Sequence, residues 1–126
     1  MNLLLDTHVL LWWDDGADQL GPATRDAIAN PANQIYISAA SLWEIAIKSA
    51  KGKLRFTGSP QAAIGRNGFL PLSISPHHAE IAGQLDWSHP DPFDRMLVAQ
   101  ARTDGMILVH ADSVIRNYEV PQLWAR

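Results

Sequence analysis

The sequence predicts an α/β protein in which a parallel sheet is covered by helices on both faces. Three short apolar or β-branched runs, at 2–5, 34–38 and 107–109, alternate with longer segments of helical periodicity. Runs of this kind are typical of strands that are buried on both faces. With 126 residues, the chain has the usual size of one domain, so we expect residues 1–126 to form a single domain.

Turn residues divide the first half of the chain. The strand at 2–5 ends at an aspartate, and the helix predicted at 7–13 is closed by an Asp-Asp-Gly turn. A Gly-Pro pair opens a helix that runs from 22 to about 30 and stops at a proline. The strand at 34–38 alternates and leads into a strong helix at 39–51, which ends at a glycine.

The second half of the chain is patterned less evenly, and residues 59–68 indicate no clear element. Prolines open both of its predicted helices, and another interrupts its first strand. The remaining elements, in chain order, are a strand at 69–74, a helix at 76–85, a loop at 87–91, a helix at 92–104, a strand at 107–109 and a short turn or helix from 112.

Composition excludes several classes of protein. The chain has no cysteine, which excludes disulfide scaffolds and thiolate metal sites and suits a reducing cytoplasm. No apolar run approaches the roughly 18 residues that a membrane-spanning helix needs, so we expect a cytoplasmic protein with no membrane partner. The net charge of −3 does not by itself indicate a nucleic-acid partner, although local patches of charge leave one open. Glycine-rich phosphate loops and the Gly-x-Ser-x-Gly elbow are absent.

Four acids fall where a parallel sheet places its ligands. Asp6 and Asp112 follow the first and last predicted strands, Glu44 lies near the start of the helix after the second strand, and Asp94 begins the helix at 92–104. In open parallel sheets, ligands bind beyond the carboxyl ends of the strands. We therefore expect these four side chains to reach one edge of the sheet.

Each acid also has a structural explanation. Asp6, Asp112 and Asp91 are suitable helix caps, and Asp94 suits a helix N-terminus. Residues 41–44, Ser-Leu-Trp-Glu, form a capping-box pattern, and Glu44 is spaced to pair with Lys48. Taken singly, these explanations are at least as good as a functional one. Several carboxylates at one edge, however, would repel one another unless a cation neutralised them.

The donor set indicates which cation that would be. Oxygen ligands without cysteine or histidine favour a hard ion such as Mg²⁺ or Mn²⁺ over zinc. The adjacent His77 and His78 point in different directions on a helix, and His89 suits a loop hydrogen bond, while His8 is expected to pack beside the first strand. Magnesium held by carboxylates commonly serves phosphate chemistry.

Three motifs, in order, resemble the PIN-domain family, and within it the VapC-type toxins of bacterial type II toxin–antitoxin systems. The motifs are Leu-Leu-Asp-Thr-His at 4–8, Ser-Ala-Ala-Ser-Leu-Trp-Glu-Ile-Ala-Ile-Lys at 38–48, and His-Pro-Asp-Pro-Phe-Asp-Arg at 89–95 with Ala-Gln-Ala at 99–101. The resemblance runs nearly from end to end. It implies a three-layer α/β/α sandwich around a mainly parallel sheet.

The resemblance also implies an activity, which is endoribonuclease cleavage by an acidic cluster that binds Mg²⁺ or Mn²⁺. Asp6, Glu44 and Asp94 match the three main acids of the family, and Asp112 matches the more variable fourth. Thr7 and Ser38 match hydroxyl positions that support the cluster in relatives. Such toxins are inhibited by a small VapB-like antitoxin and usually form homodimers.

One residue departs from the family pattern. Similar toxins usually carry a threonine two residues before the fourth acid, whereas this chain has His110 before Asp112. The departure concerns how Asp112 is held and leaves the other three acids untouched.

Two further segments are candidates for contacts. Lys48, Lys51, Lys53 and Arg55 form a small basic run that could contact RNA, while Arg95 is expected to face structure or antitoxin. The four large apolar residues at 10–13 exceed what one helix face can bury, so we expect part of this run to form a partner surface.

Two alternatives to a ribonuclease toxin stay open at this point. The first is a catalytically degraded PIN-like module that binds RNA or protein, which His110 alone favours. The second is a phosphatase or phosphoacceptor domain with Asp6 as nucleophile, but such domains favour a second aspartate where this chain has His8.

Overall fold

The computed structural model describes all 126 residues. Its strands are β1 (Asn2–Leu5), β2 (Gln34–Ser38), β3 (Leu70–Leu72), β4 (Ile107–His110) and β5 (Gln122–Trp124). Its helices are α1 (Thr7–Asp15), α2 (Pro22–Ala29), α3 (Ala39–Ala50), α4 (Pro60–Arg66), α5 (Pro76–Gln84), α6 (Pro92–Asp104) and α7 (Ser113–Arg116). All the elements predicted from the sequence are present, so the α/β class is confirmed. No helix here combines the length and the apolar character needed to cross a bilayer.

The five strands form one sheet in the order β3-β2-β1-β4-β5, and every neighbouring pair is parallel. Leu5 at the end of β1 lies level with Ile37 of β2 and Val109 of β4. After β1, the chain adds β2 and then β3 on one side of β1. It then crosses to the other side of β1, where it forms β4 and β5. The carboxyl ends of β1 and β4 therefore flank the point where the strand order reverses, the usual ligand crevice of such sheets.

Alternate residues of β1 enter two separate cores. Leu3 and Leu5 belong to a cluster formed with residues of α1, α2, α3 and α4, whereas Leu4 belongs to a cluster formed with α6 and α7. All three leucines are fully buried, as expected for the central strand of a sheet covered on both faces. The molecule thus has three layers, with the sheet in the middle.

Two elements were not predicted from the sequence, α4 and β5. Helix α4 lies in the weakly patterned stretch, but its start carries a recognisable signal, because Ser59 caps it and Pro60 occupies its first position. Strand β5 is a three-residue edge strand without alternation, so it exists through its pairing with β4 and not through its own pattern. Strand β3 is also shorter than the predicted 69–74.

The capping-box interpretation of Ser41 and Glu44 is wrong. Helix α3 begins after Ser38, whose side chain accepts a hydrogen bond from the Ala40 N–H at 3.0 Å, so Ser41 already lies inside the helix. Glu44 falls in the second turn, where its carboxylate is free to face other elements. The capping box of this chain lies instead at the start of α5, between Ser75 and His78.

The apolar run on α1 packs against the core and keeps part of its surface exposed. Leu10 is fully buried, whereas Leu11, Trp12 and Trp13 are half-buried against the same core. Trp13 also contacts Phe69, and its indole N–H donates to Asn67. The expectation that part of this run forms a partner surface stays a prediction.

The segment after β5 is fastened to the rest of the fold by backbone contacts. The Ala125 N–H donates to the His110 carbonyl at 2.7 Å, and the Gly21 N–H donates to the Ala125 carbonyl at 2.8 Å. A Cβ on Gly21 would lie 2.8 Å from the carbonyl carbon of Arg126. Only glycine permits this close approach, which fixes the backbone of Arg126 beside the start of α2.

Candidate metal centre

A cavity of about 280 Å³ opens at the carboxyl ends of β1 and β4. The cavity lies at the point where the strand order reverses. The carboxyl ends of the strands and the N-termini of the following helices face a ligand at this point. The cavity is lined by all four of the acids singled out in the sequence and by seven other residues, Thr7, His8, Trp12, Lys48, Asp91, Ala111 and Arg126.

Asp6 lies deepest among the acids. It follows β1, caps α1 and accepts a hydrogen bond from the Val9 N–H through Oδ1 at 2.9 Å, while Oδ2 has no protein partner. The residue is 6% exposed. Burial, together with the nearby charges of Asp94, Glu44 and Asp112, raises the pKa of Asp6 to about 7, although the hydrogen bond from the Val9 N–H opposes that change. A bound proton or a metal cation therefore stabilises the carboxylate at this position.

Glu44 is held at both of its oxygens. The Thr7 hydroxyl donates to Oε1 at 2.5 Å, and Lys48 donates to Oε2 at 2.5 Å, so the predicted pairing of Glu44 with Lys48 is confirmed. The hydrogen bond to Glu44 raises the pKa of Lys48. Thr7 belongs to α1 and Glu44 to α3, so this contact ties two helices together at the cavity wall.

Asp94 lies in the first turn of α6, which Asp91 caps as expected by accepting the N–H groups of Phe93 and Asp94. His89 Nε2 lies 2.7 Å from Asp94 Oδ2, and its ring packs against Trp87. Burial raises the pKa of Asp94 to about 6, although the hydrogen bond with His89 opposes that change. His89 is thus a loop hydrogen-bonder, as predicted, but its partner belongs to the acidic cluster.

Asp112 caps α7 through Oδ1, which accepts the N–H groups of Val114 and Ile115 and leaves Oδ2 without a protein partner. The buried His110 supports it from behind, because His110 Nδ1 accepts the Asp112 N–H at 3.0 Å. On the other side of the ring, Nε2 lies 2.7 Å from Gln122 Oε1. Burial lowers the pKa of His110. The imidazole is therefore neutral and holds the backbone of Asp112, which explains how the chain manages without threonine there.

The donors in the cavity fit a divalent cation. One ring nitrogen of His89 and one carboxylate oxygen each of Asp94 and Asp112 lie within 4.8 Å of one another. The sequence analysis expected oxygen donors alone, and the structure adds an imidazole to that group. Asp6, Asp94 and Asp112 each keep one carboxylate oxygen without a protein partner. Unpaired carboxylate oxygens gathered in one cavity are the donor set that Mg²⁺ or Mn²⁺ neutralises.

Sequence reasoning gave no role in the site to four residues of the cavity wall: His8, Trp12, Ala111 and Arg126. His8 does not pack beside β1 as expected but is exposed on α1, with its ring centroid 6.1 Å from that of Trp12. The spacing of four residues between His8 and Trp12, next to Asp6, was a usable signal for a shared helix face. Arg126 carried no local signal, because it reaches the cavity through the unpredicted β5.

The other basic candidates lie away from the cavity. Arg95 faces structure, as expected, because its guanidinium donates to backbone carbonyls of Ala82, Leu85 and Trp87. Lys51, Lys53 and Arg55 are exposed beyond the end of α3 and do not line the cavity. Of the predicted basic run, Lys48 alone reaches it.

Ser38 also differs from its expected role. It matches a hydroxyl position that supports the acidic cluster in relatives, but here it is fully buried and caps α3. Thr7, the other matched hydroxyl, does support the cluster directly through its contact with Glu44.

The fold and the cavity together define a class of protein, an α/β domain with a cluster of carboxylates at the switch point of a parallel sheet. A family model described as PIN domain matches residues 3–121. The chain belongs to the PIN domain family. The three-layer α/β/α arrangement that the resemblance implied is confirmed.

Individual relatives agree with this assignment. The chain is 30% identical over 130 residues to Ribonuclease VapC22 of Mycobacterium tuberculosis, an alignment that covers 96% of this chain and 95% of that protein.

Among solved structures, a chain of VapBC2 from Rickettsia felis, bound to a DNA fragment from its promoter, is similar with a TM-score of 0.71 at 15% identity, covering 98% of this chain and 99% of that one. A toxin–antitoxin complex from Klebsiella pneumoniae is similar with a TM-score of 0.70 at 17% identity, covering 97% and 96%. At these identities, the two likenesses concern the fold.

Proposed function

We propose that this protein is an endoribonuclease toxin that hydrolyses RNA phosphodiester bonds with Mg²⁺ or Mn²⁺ and is inhibited by a small VapB-like antitoxin. The observation that carries the proposal is the gathering of Asp6, Glu44, Asp94 and Asp112 in one cavity, with two of them raised in pKa by burial. The 30% identity to a ribonuclease over nearly the whole chain supports the same activity.

We assign the cation to the carboxylates that keep a free oxygen. Asp6, Asp94 and Asp112 would hold it, since the opposite oxygen of each is already used by a backbone N–H or by His89. When bound, such an ion supplies Lewis-acid activation of water and stabilises negative charge on the phosphate group. Its positive charge also favours the ionised forms of Asp6 and Asp94, which burial opposes.

The remaining residues would keep this arrangement rigid. Glu44 has both oxygens occupied by Thr7 and Lys48, so its carboxylate is fixed in one orientation and is placed to accept a proton from an attacking water. His89 orients Asp94, and His110 orients Asp112 through its backbone. Supports of this kind hold ligands in the geometry that the reaction requires.

The wider setting follows from the relatives. Solved structures similar to this chain are toxin–antitoxin complexes, and on that basis we propose an antitoxin partner. We further propose that residues 1–126 act as one domain, in the cytoplasm, as a homodimer. Light scattering of the purified protein would measure its mass in solution directly and would contradict the dimer if it gave the 13.9 kDa of one chain.

The alternative of a degraded binding module is now less attractive. Its one favourable observation was His110 in place of threonine, and His110 holds the Asp112 N–H through Nδ1. Asp112 is therefore supported, and the other three acids line the same cavity. We do not propose this alternative.

The proposal is tested by incubating total cellular RNA with the purified protein in Mg²⁺, in Mn²⁺ and in EDTA. Asp6→Asn controls for contaminating nuclease, and Asp18→Asn, an exposed acid outside the cavity, is the matched control for loss of one charge. We expect discrete cleavage that requires the metal and Asp6 but not Asp18. Cleavage that persists in EDTA or in Asp6→Asn would contradict the proposal.

A further inference from the structure

Arg126 is a cation without an anionic partner in a cavity crowded with acids. Five carboxylates line the cavity, those of Asp6, Glu44, Asp91, Asp94 and Asp112, against two permanently charged cations, Lys48 and Arg126. Lys48 is already paired with Glu44 at 2.5 Å. The guanidinium of Arg126 forms no salt bridge within 4.0 Å and donates no hydrogen bond to the protein. Its charge is thus available to a ligand.

Arg126 is also held at the cavity by the fold. Its backbone lies against Gly21, where a Cβ would collide at 2.8 Å, and the preceding residue is bonded to both His110 and Gly21. The side chain extends over Trp12, with the guanidinium carbon 5.9 Å from the ring centroid. At this distance the ring attracts the guanidinium and leaves its N–H edges free to donate. An arginine fixed at its backbone beside an aromatic face thus offers its donors to an anion.

The anion that this site fits is a phosphate group of the substrate. A guanidinium matches a phosphate with two parallel N–H···O bonds. The five carboxylates of the cavity carry more negative charge than one divalent cation and Lys48 together neutralise, so an RNA strand that enters needs a further cation on the wall. Lys48 cannot supply it without releasing Glu44.

We propose that Arg126 binds a phosphate of single-stranded RNA at the wall of the cavity formed by His8 and Trp12. This inference rests on the proposed ribonuclease function and names a substrate contact for the same cavity. Because the contact is to the backbone, it carries no sequence preference of its own. An RNA strand bound to Arg126 enters the cavity beside α1 and passes over the acids at the cavity floor.

The test measures RNA binding separately from cleavage. A fluorescein-labelled single-stranded RNA 20-mer of mixed sequence is titrated with Asp94→Asn protein, and anisotropy gives its dissociation constant at several salt concentrations. Arg126→Gln and Arg126→Lys are compared in this background. Arg116→Gln is the matched control, because Arg116 is also an exposed arginine stacked on a tryptophan, with its guanidinium 4.3 Å from the Trp124 ring, but lies outside the cavity.

We expect Arg126→Gln to weaken RNA binding by roughly tenfold, the loss of one charge-assisted contact. The slope of log affinity against log salt should fall by about 0.7, the value for one phosphate contact to a single strand. The RNA affinity of Arg126→Lys should lie between that of Arg126→Gln and that of the protein with Arg126, because lysine keeps the charge and loses the paired donors. Arg116→Gln should change affinity less than twofold, and thermal melts should show that all variants stay folded.

Equal affinities and salt slopes for Arg126→Gln and Arg116→Gln would overturn the inference. This outcome is distinct from failure of the proposed function. If Arg126→Gln weakens binding but the unsubstituted protein cleaves no RNA, the phosphate contact stands and the ribonuclease proposal falls. If the protein cleaves RNA in a metal-dependent way and Arg126→Gln binds normally, only the contact is rejected.

Discussion

Replacing Asp6 with asparagine should stabilise the metal-free protein at neutral and alkaline pH. Asparagine caps a helix as well as aspartate does, so its Oδ1 can still accept the Val9 N–H. It carries no charge, and the burial that raises the pKa of Asp6 to about 7 then has no ionised form to penalise. The substitution therefore separates the structural role of this side chain from its charge.

The sign and size of the effect follow from proton linkage. The pKa of Asp6 is raised from 3.8 to about 7 in the folded protein. Between pH 3.8 and pH 7, the folded protein therefore keeps a proton on Asp6 that the unfolded protein has released. Stability from this group is complete below pH 3.8 and is lost as pH rises to 7. At about 1.4 kcal/mol per pKa unit, the full loss is about 4 kcal/mol. Between pH 5 and pH 8, the advantage of Asp6→Asn should grow by up to about 3 kcal/mol.

Urea denaturation in EDTA at pH 5, 6, 7 and 8 would measure this difference. Asp18→Asn again serves as the exposed control, and its difference from the unsubstituted protein should stay within about 0.5 kcal/mol at every pH. Adding Mn²⁺ at pH 8 should stabilise the unsubstituted protein more than Asp6→Asn, because binding to the folded state raises its stability. A free-energy difference between Asp6→Asn and the unsubstituted protein that did not change from pH 5 to pH 8 would refute the reasoning.

Further predictions concern the neighbours of Asp6. Asp94→Asn should abolish RNA cleavage and growth arrest while leaving the circular dichroism spectrum unchanged, and continued arrest at equal expression would contradict the metal-centre model. Thr7→Val removes the donor to Glu44 Oε1, so we expect about 1–2 kcal/mol lower unfolding free energy and slower cleavage, measured by urea melts and initial rates. His110→Thr deprives two partly buried groups of their partner and removes most of a buried ring, so it should cost about 2–4 kcal/mol in a urea melt, even though it restores the threonine of the family pattern. Affinity for Mn²⁺, measured by calorimetry, should rise roughly twentyfold from pH 6 to pH 8, because protons compete for Asp6 and Asp94 with pKa values of about 7 and about 6. An affinity independent of pH would exclude these carboxylates as ligands.

Much of the fold could be predicted because its main elements carry local signals. Strand β1 lies in a short apolar run, and α6 begins at a proline and ends before a glycine. The bounds of both elements could therefore be predicted from the local sequence. The acids of the candidate site were predictable for the same reason, since each lies at the end of a strand or near the start of a helix.

Other parts depend on contacts between distant segments, which no local pattern records. Strand β5 exists because β4 offers it an edge, and Arg126 reaches the cavity only through that pairing. The role of His110 depends on Gln122, twelve residues later. His89 was predicted to bond in its loop, but its partner is Asp94, which lies outside that loop in α6.

The caps at the rim of the cavity have a consequence for how this protein can change over time. One carboxylate oxygen of each of three aspartates accepts a backbone N–H in the first turn of a helix, and the other oxygen makes no such bond. These aspartates are Asp6, Asp91 and Asp112. A single aspartate-to-asparagine substitution can therefore remove a carboxylate from the cavity while the helix still begins at the same residue. Such a variant lies one nucleotide change away, since aspartate and asparagine codons differ at one base, and it would retain the fold and the outer surface of the protein.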